Sequence, residues 1–473
     1  MSSPKVRIKS KKPIHATVGI DFGTSFTKIA YRFEGNQDNK VYPLEINAGA
    51  ENGYLMPSLM AFDEGRILLG QDAENFLSEN KWGKGARYLK MLFLGANKSM
   101  GMTDKAEYKD NMHRFNAYCT ECNLSEELRN PGYMIAIYLS WIIKTAQKSI
   151  REAVSRQKDD REIIFSYNIC LPIDSYEQKD VLNNCEKTLD IIRDLMGQDG
   201  YSLDFDLLEY ISLLWQKDFS SYEDTQKRKP DINLVPEAVA LTACYTESLG
   251  AEYKIHGVID IGAGTVDFSI FNINNEDGEK TINWYNAVTI PGGVDEIEAD
   301  LFKFFAKQGE YLSSRQISLK LTKLSLKAYP QSEETIEIVE TKLKKIWEDS
   351  RFSVWGPAYD KNTDARSWDK DMVKVLICGG GSDLPGTEDI FGQCWYEPSW
   401  GPYPVEKLRT NPRNFAGDPH IFHRMIVAYG LTIPTPTLSD FNLPKDCPDQ
   451  TPKRIYAKTE RDGYYGAVYN DTH

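Results

Sequence analysis

Two aspartates stand in matching surroundings in this 473-residue chain. Asp21 follows the apolar run Val18-Gly19-Ile20 and precedes Phe22-Gly23-Thr24-Ser25. Asp260 follows Val258-Ile259 and precedes Ile261-Gly262-Ala263-Gly264-Thr265. In both, a strand-like run ends at a carboxylate and a turn of small residues follows. Small residues let a backbone come close to a ligand, and successive N–H groups in a turn form a nest for an anion. Thr24, Ser25 and Thr265 add hydroxyl donors. A carboxylate beside a bound anion is repulsive alone, and becomes favourable when Mg²⁺ lies between them, held through its waters. The chemistry this pattern could do is the holding of phosphate. A third small-residue turn, Gly379-Gly380-Gly381-Ser382, follows the apolar run Val373 to Cys378.

The elements that must position these groups read as hairpins. Apolar and β-rich residues resume after each turn, at Phe26 to Tyr31 and at Val266 to Ile273. A dinucleotide-binding Gly-x-Gly turn needs a helix after the glycines. Here a strand follows, and Asp267 holds the third glycine position. No Walker P-loop or protein-kinase motif set is present. The two hairpins lie about 240 residues apart and form a weak internal repeat, which predicts two similar lobes. Between them the pattern predicts a long helix over 133–158 and a strand from Glu162 to Leu171, ended by Pro172. An amphipathic helix over 175–196 follows, then a helix from Glu237 to Leu249, opened by Pro236 and capped by Gly250. Residues 197–232 read as an insertion, acidic and aromatic first and basic at Lys227-Arg228-Lys229. It is either a solvated excursion or a partner-holding segment. Residues 443–473 read as an irregular extension.

Composition bounds the function. Hydrophobic residues are 41% and charged residues 26%, which are globular proportions and exclude a disordered, collagenous or rod-like main state. A net charge of −13 argues against direct nucleic-acid binding, which wants a basic face. The apolar stretch Tyr133 to Ile143 is far short of the ~20 residues of a membrane span. Lys5, Arg7, Lys9, Lys11 and Lys12 precede the first strand without an apolar signal core; the expectation is a solvated lead-in, with contact to an acidic surface as the other reading. Eight sparse cysteines suit a reducing cytoplasm better than a disulfide scaffold. Cys119-x-x-Cys122 near His113, and His420-x-x-His423, each fall short of a closed four-ligand metal set.

Taken together, these segments resemble the actin, heat-shock-70 and sugar-kinase ATPase superfamily, and its heat-shock-70 branch most. Gly19 to Ser25 is similar to the first phosphate motif, Asp260 to Asp267 to the second, and Val375 to Pro385 to the adenosine motif. Met56-Pro57-Ser58, Leu171-Pro172 with Gln178, Pro236-Glu237-Ala238, Pro291-Gly292-Gly293 and Ala428-Tyr429-Gly430-Leu431 follow in the family's order. The resemblance implies an α/β fold of two lobes, each an RNase-H-like mixed sheet flanked by helices. Lobe I would span 14–250 after a basic tail at 1–13, and lobe II 251–405 with an outer subdomain at about 300–372. Residues 406–440 would return to lobe I, and 441–473 would be an extension.

The resemblance also implies ATP or ADP with Mg²⁺ in the cleft. Gly23, Thr24, Ser25, Lys28 and Lys90 would meet the phosphates from one lobe. Gly262, Ala263, Gly264, Thr265, Gly292 and Gly293 would do so from the other, with Gly379, Gly380, Gly381 and Ser382 against adenosine. Asp21, Asp260 and Asp267 would hold Mg²⁺ through water, and Asp21, Asp260 and Glu237 would be catalytic. Lys342 to Trp347 is a candidate for the adenine side. One departure is Val235, where many heat-shock-70 relatives carry a Glu before the proline. Another is that about forty residues follow the last motif, too few for the family's peptide-binding sandwich and lid. The expectation is a cytoplasmic, chaperone-like ATPase switch that hydrolyses slowly and acts on a protein partner. The alternatives are an actin-like filament former, hinted at by Lys28, a small-molecule kinase, and a nucleotide-binding scaffold without turnover.

Overall fold

The computed structural model describes residues 12–35, 39–47, 53–79, 84–95, 106–197, 202–216, 231–248, 250–276, 279–310, 332–397, 401–408, 412–433 and 440–450. The basic run 227–229, part of the segment 300–372 and most of the C-terminal extension lie outside them.

The chain forms a mixed α/β structure built on two large mixed sheets. Ile14–Phe22 is buried at every position but one, the pattern of a central strand covered on both faces. It pairs antiparallel with Phe26–Phe33 and parallel with Ile163–Leu171. From edge to edge the first sheet runs Val41–Pro43, Phe26–Phe33, Ile14–Phe22, Ile163–Leu171 and Asp231–Pro236. The second runs Glu279–Pro291, Thr265–Glu276, Ile255–Ile261, Val373–Cys378 and Val405–Lys407. Order and sense agree strand for strand: two antiparallel pairings, then two parallel ones. The hairpin repeat legible in the sequence is thus one corner of a five-strand repeat. A further strand, Asp440–Asn442, adds in parallel outside Glu279–Pro291.

Among the described residues, three of four hydrophobic clusters hold these layers, the fourth being a small one around Leu59, Ala61, Ala73 and Leu77. The first lies between the first sheet and the helices Gly132–Arg156, Lys179–Met196 and Phe205–Trp215. The second joins the second sheet to Val294–Lys307 and Glu333–Ser350. The third takes residues from both sheets, among them Ala30, Cys170, Val258 and Leu376, around the helices Glu237–Thr246 and Phe422–Gly430. These two helices cross so closely that a Cβ on Gly430 would collide with the Ala240 carbonyl oxygen. Among the described residues no helix is long and apolar enough to cross a membrane.

Three sequence expectations need correction. The helix expected over 175–196 is two, Ile173–Glu177 and Lys179–Met196, with Gln178 extended between them at φ −87° and ψ 113°. The helix from Glu237 ends at Thr246 rather than Leu249, and Glu247, not Gly250, is its C-cap. The insertion 197–232 is no solvated excursion where it is described. Leu207, Leu208, Ile211 and Leu214 on Phe205–Trp215 are buried in the first core, and Asp231 and Ile232 begin the edge strand. Their helical spacing makes an apolar stripe, and a stripe of that width is stable only against other elements.

Candidate phosphate and metal site

The two hairpins end face to face. A Cβ on Gly264 would lie 2.6 Å from Thr24 Cγ2 and 3.5 Å from Thr24 Cβ, so the first turn touches the second. The carbonyls of the second turn are taken up from behind. Gly292, Val294 and Asp295 N–H donate to Gly264, Gly262 and Ala263 O at 2.9, 3.1 and 2.9 Å. Gly292 thus supports the second turn, and a Cβ on Gly293 would stand 2.5 Å from Gly262 O. The amides of Thr24, Ser25, Ala263 and Gly264 donate to no acceptor among the described residues, as an anion nest requires. The third turn joins from the side of Asp260. Gly379 has φ +83°, and a Cβ there would collide with Asp260 Oδ1, so the backbone fits only as glycine. Gly381 N–H donates to Ile261 O at 2.9 Å, and Ser382 is buried. Gly380 alone of the three faces open space.

The charged groups converge beside these turns. Lys28 Nζ lies 2.5 Å from Asp21 Oδ2, directly across the hairpin. Lys90 Nζ donates to both oxygens of Glu237, at 2.9 and 2.7 Å, and both residues are buried. Asp174, Glu237, Asp260 and Asp267 line one narrow pocket with Thr289. Thr289 Oγ1 donates to Asp267 Oδ1 at 2.5 Å, and Thr265 Oγ1 to Asp267 Oδ2 at 3.3 Å. The repeat explains a difference in charge. Asp21 faces Lys28 across its hairpin, whereas Asp260 faces Asp267 across the other. One hairpin carries an ion pair and the other two carboxylates.

Five carboxylates thus meet two ammonium groups. Burial pushes Asp260 up to about 7, and Glu237 and Asp21 add to this against the pull of Lys28 and Lys90. Glu237 is raised by burial, drawn back by Lys90, and raised again by Asp267 and Asp21. Burial also raises Asp267, and lifts Asp174 to about 6. Burial works to lower Lys90, but Glu237, Cys170, Asp267 and Asp21 together outweigh it and hold the ammonium charged. Carboxylates in excess of cations, beside unengaged amides, form a donor set that suits a hydrated Mg²⁺ with its phosphates.

Sequence reading missed four groups here. Cys170 Sγ is 3.9 Å from Asp21 Oδ1, and Asp21, Cys170 and Glu237 can offer ligand atoms within 4.8 Å of one another. Cys378 is the register partner of Asp260, the matching place in the second sheet. Burial holds both thiols well above the usual range. Aligning the two sheets as repeats would have found this pair; nothing local marks Asp174 or Thr289. Of the other candidates, Lys342 is bound to Glu296 at 2.6 Å, and Trp347 is buried in the second core. Burial lifts Cys119 and Cys122 to about 12, and among the described residues neither belongs to a group of three donors close enough to share an ion. His420 sits in a turn and His423 on the following helix. Compared with known proteins, the chain matches no family model and no curated sequence.

Proposed function

We propose that this protein binds Mg-ATP or Mg-ADP between its two hairpin turns and acts as a slowly hydrolysing, heat-shock-70-like switch on a protein partner. Its two sheets would be the cores of two actin-like lobes. The observation that carries the reading is the meeting of two equivalent turns from different sheets, each with its carboxylate, Asp21 and Asp260. The shared strand order of the two sheets supports the superfamily resemblance.

In this reading the amides of Thr24, Ser25, Ala263 and Gly264 and the ammonium groups of Lys28 and Lys90 hold phosphate oxygens. Asp21, Asp260 and Asp267 would hold Mg²⁺ through its waters, and the ion would neutralise charge on the transferring phosphoryl group. Glu237 would take a proton from water; burial, Asp267 and Asp21 raise its affinity for one, as burial and neighbouring acids do for Asp260. Lys90 holds both its oxygens, so Glu237 works only after that ammonium turns to phosphate. This pair also favours a second reading, a nucleotide-binding scaffold with little turnover.

Calorimetry with Mg-ATP tests binding, and a Kd near ~1 μM would raise apparent stability by ~4 kcal/mol at ~1 mM ligand. Asp21→Ala and Asp260→Ala are expected to reduce phosphate release by more than they reduce affinity. Gly380→Val is expected to abolish binding with the fold intact, since its Cβ meets no protein atom within 4 Å. No heat and no thermal shift with Mg-ATP would defeat both readings; binding with no phosphate release would select the scaffold.

A further inference from the structure

Thr289 stands between two carboxylates that come from different parts of the chain. It lies on Glu279–Pro291, is 3% exposed, and is the register partner of Asp267 on the neighbouring strand. Its hydroxyl donates to Asp267 Oδ1 at 2.5 Å. On its other side is Asp174, from the short helix Ile173–Glu177 that follows the first sheet's strand Ile163–Leu171. Asp174 accepts from both the N–H and the hydroxyl of Thr289. The edge strand Asp440–Asn442 covers Glu279–Pro291 at residues 281–283, well short of Thr289, which leaves its N–H to Asp174. Asp174 also accepts the Ser175 N–H at 2.7 Å. Asp174, Asp267 and Thr289 line one narrow pocket.

A threonine hydroxyl carries one proton, so it serves one carboxylate at a time. Given to Asp267, it occupies a lone pair and draws on charge that Oδ1 would otherwise offer. Oδ2 of the same carboxylate already holds the Thr265 hydroxyl at 3.3 Å. Thr289 therefore decides whether the second oxygen is free. Given to Asp174, the hydroxyl releases it. Hydrogen bonds weaken steeply with distance and angle, so the choice follows the spacing between the helix of Asp174 and the strand of Thr289. One adjoins the first sheet and the other belongs to the second.

We propose that Thr289 and Asp174 are positioning residues for Asp267: one hydroxyl passes between the two carboxylates and so sets how strongly Asp267 holds the waters of Mg²⁺. The metal half of this rests on the Mg-nucleotide reading above, and the sharing of the hydroxyl rests on the contacts of Thr289 alone. Neither residue touches the reacting atoms in this account; both act through Asp267. A Thr289 that only braced the fold would support Asp174 and Asp267 alike. Removing it and neutralising Asp174 would then weaken Mg²⁺ binding in the same direction. A shared hydroxyl makes the two changes act in opposite directions, because one frees Asp267 Oδ1 and the other keeps it engaged.

The test is calorimetry of ADP binding to the full chain with and without Mg²⁺, read as the factor by which Mg²⁺ tightens ADP. Thr289→Val removes the hydroxyl and keeps the shape, and is expected to raise that factor about threefold or more. Asp174→Asn keeps the N–H bonds at its carbonyl oxygen, while its amide donates to Thr289 Oγ1 and commits the hydroxyl to Asp267. It is expected to lower the factor about threefold or more. Thr289→Ser keeps a hydroxyl and is expected to restore the wild-type factor. Changes of the same sign in Thr289→Val and Asp174→Asn, or no change in either, would overturn the proposal. A second measurement needs no nucleotide. In thermal melting of the free chain, the shifts caused by Thr289→Val and Asp174→Asn are expected not to add in the double variant, as for two residues that share one bond. Additive shifts would overturn the sharing of the hydroxyl. Wild type that binds no ADP with or without Mg²⁺ would defeat the nucleotide reading and the metal half of this proposal together, and the melting of the free chain then decides the other half by itself.

Discussion

Lys90 and Glu237 are 4% and 7% exposed, and each is the other's closest counter-charge. Removing one partner of such a pair leaves an uncompensated buried charge, at a cost of about 3–5 kcal/mol. Lys90→Met is therefore expected to lower the unfolding free energy by about that much, and Lys90→Met/Glu237→Leu to regain most of it, as read by urea denaturation. A second residue-scale prediction concerns His256, which is fully buried, stacked on Phe271 at 4.9 Å and hydrogen-bonded to Tyr245. Burial lowers it from 6.5 to about 3. Above pH 6.5 the folded and unfolded chains hold it equally unprotonated. Below that the unfolded chain gains a proton the folded one refuses, so stability falls as pH falls through the window from 6.5 to about 3. His256→Phe lacks this term. Measured at about pH 7.5 and about pH 5, the stability difference between wild type and variant is expected to move by about 2 kcal/mol against wild type at the lower pH. Residue chemistry was legible only where it is local. Asp21 and Asp260 announce themselves because their turns adjoin them in sequence. Cys170 and Thr289 reach the site through strand register, and Glu237 meets a lysine 147 positions away, which no local pattern encodes.

At the scale of elements, the hairpins were readable because a strand, a small-residue turn and a strand are contiguous. The helix boundaries were less so. Gln178 interrupts an apolar period that continues across it, and the period cannot show that one residue turns extended. The buried face of Phe205–Trp215 is equally hidden, because the helices it packs on come from elsewhere in the chain. The crossing of Glu237–Thr246 with Phe422–Gly430 makes a sharper statement. The contact is backbone to backbone at Gly430 and Ala240, and it lies in a cluster that draws on both sheets. Gly430→Ala cannot be relieved by a side-chain rotation, since the obstacle is a carbonyl. The expected loss is about 3 kcal/mol or more from overpacking, against about 1–2 kcal/mol for Gly35→Ala from its left-handed φ alone. A Cβ on Gly35 meets nothing within 4 Å, so only its positive φ contributes there. Similar losses at the two sites would mean the helices part without penalty.

The whole molecule poses the question of how anything enters between turns that already touch. Thr24 comes from the first sheet and Gly264 from the second, and a Cβ on Gly264 would lie 3.5 Å from Thr24 Cβ. Phosphate cannot occupy that contact, so a nucleotide held by both turns must move the sheets apart at this point. In the proposed reading, a nucleotide would therefore part the two turns at this contact and bridge them. The same separation suits a disulfide, for which Cβ atoms stand about 3.5–4.5 Å apart. Thr24→Cys/Gly264→Cys is expected to form a bridge under mild oxidation in nucleotide-free protein, seen as a mobility shift on a non-reducing gel and by mass spectrometry. Mg-ATP added beforehand is expected to slow the bridge by about tenfold or more, because a ligand shifts an equilibrium by its preference for the parted state. The bridged protein is expected to bind no nucleotide until it is reduced, which separates a closed gate from a damaged site. Bridging at the same rate with and without saturating Mg-ATP would show that the two turns do not part around a ligand, and the switch would have to be sought away from their contact.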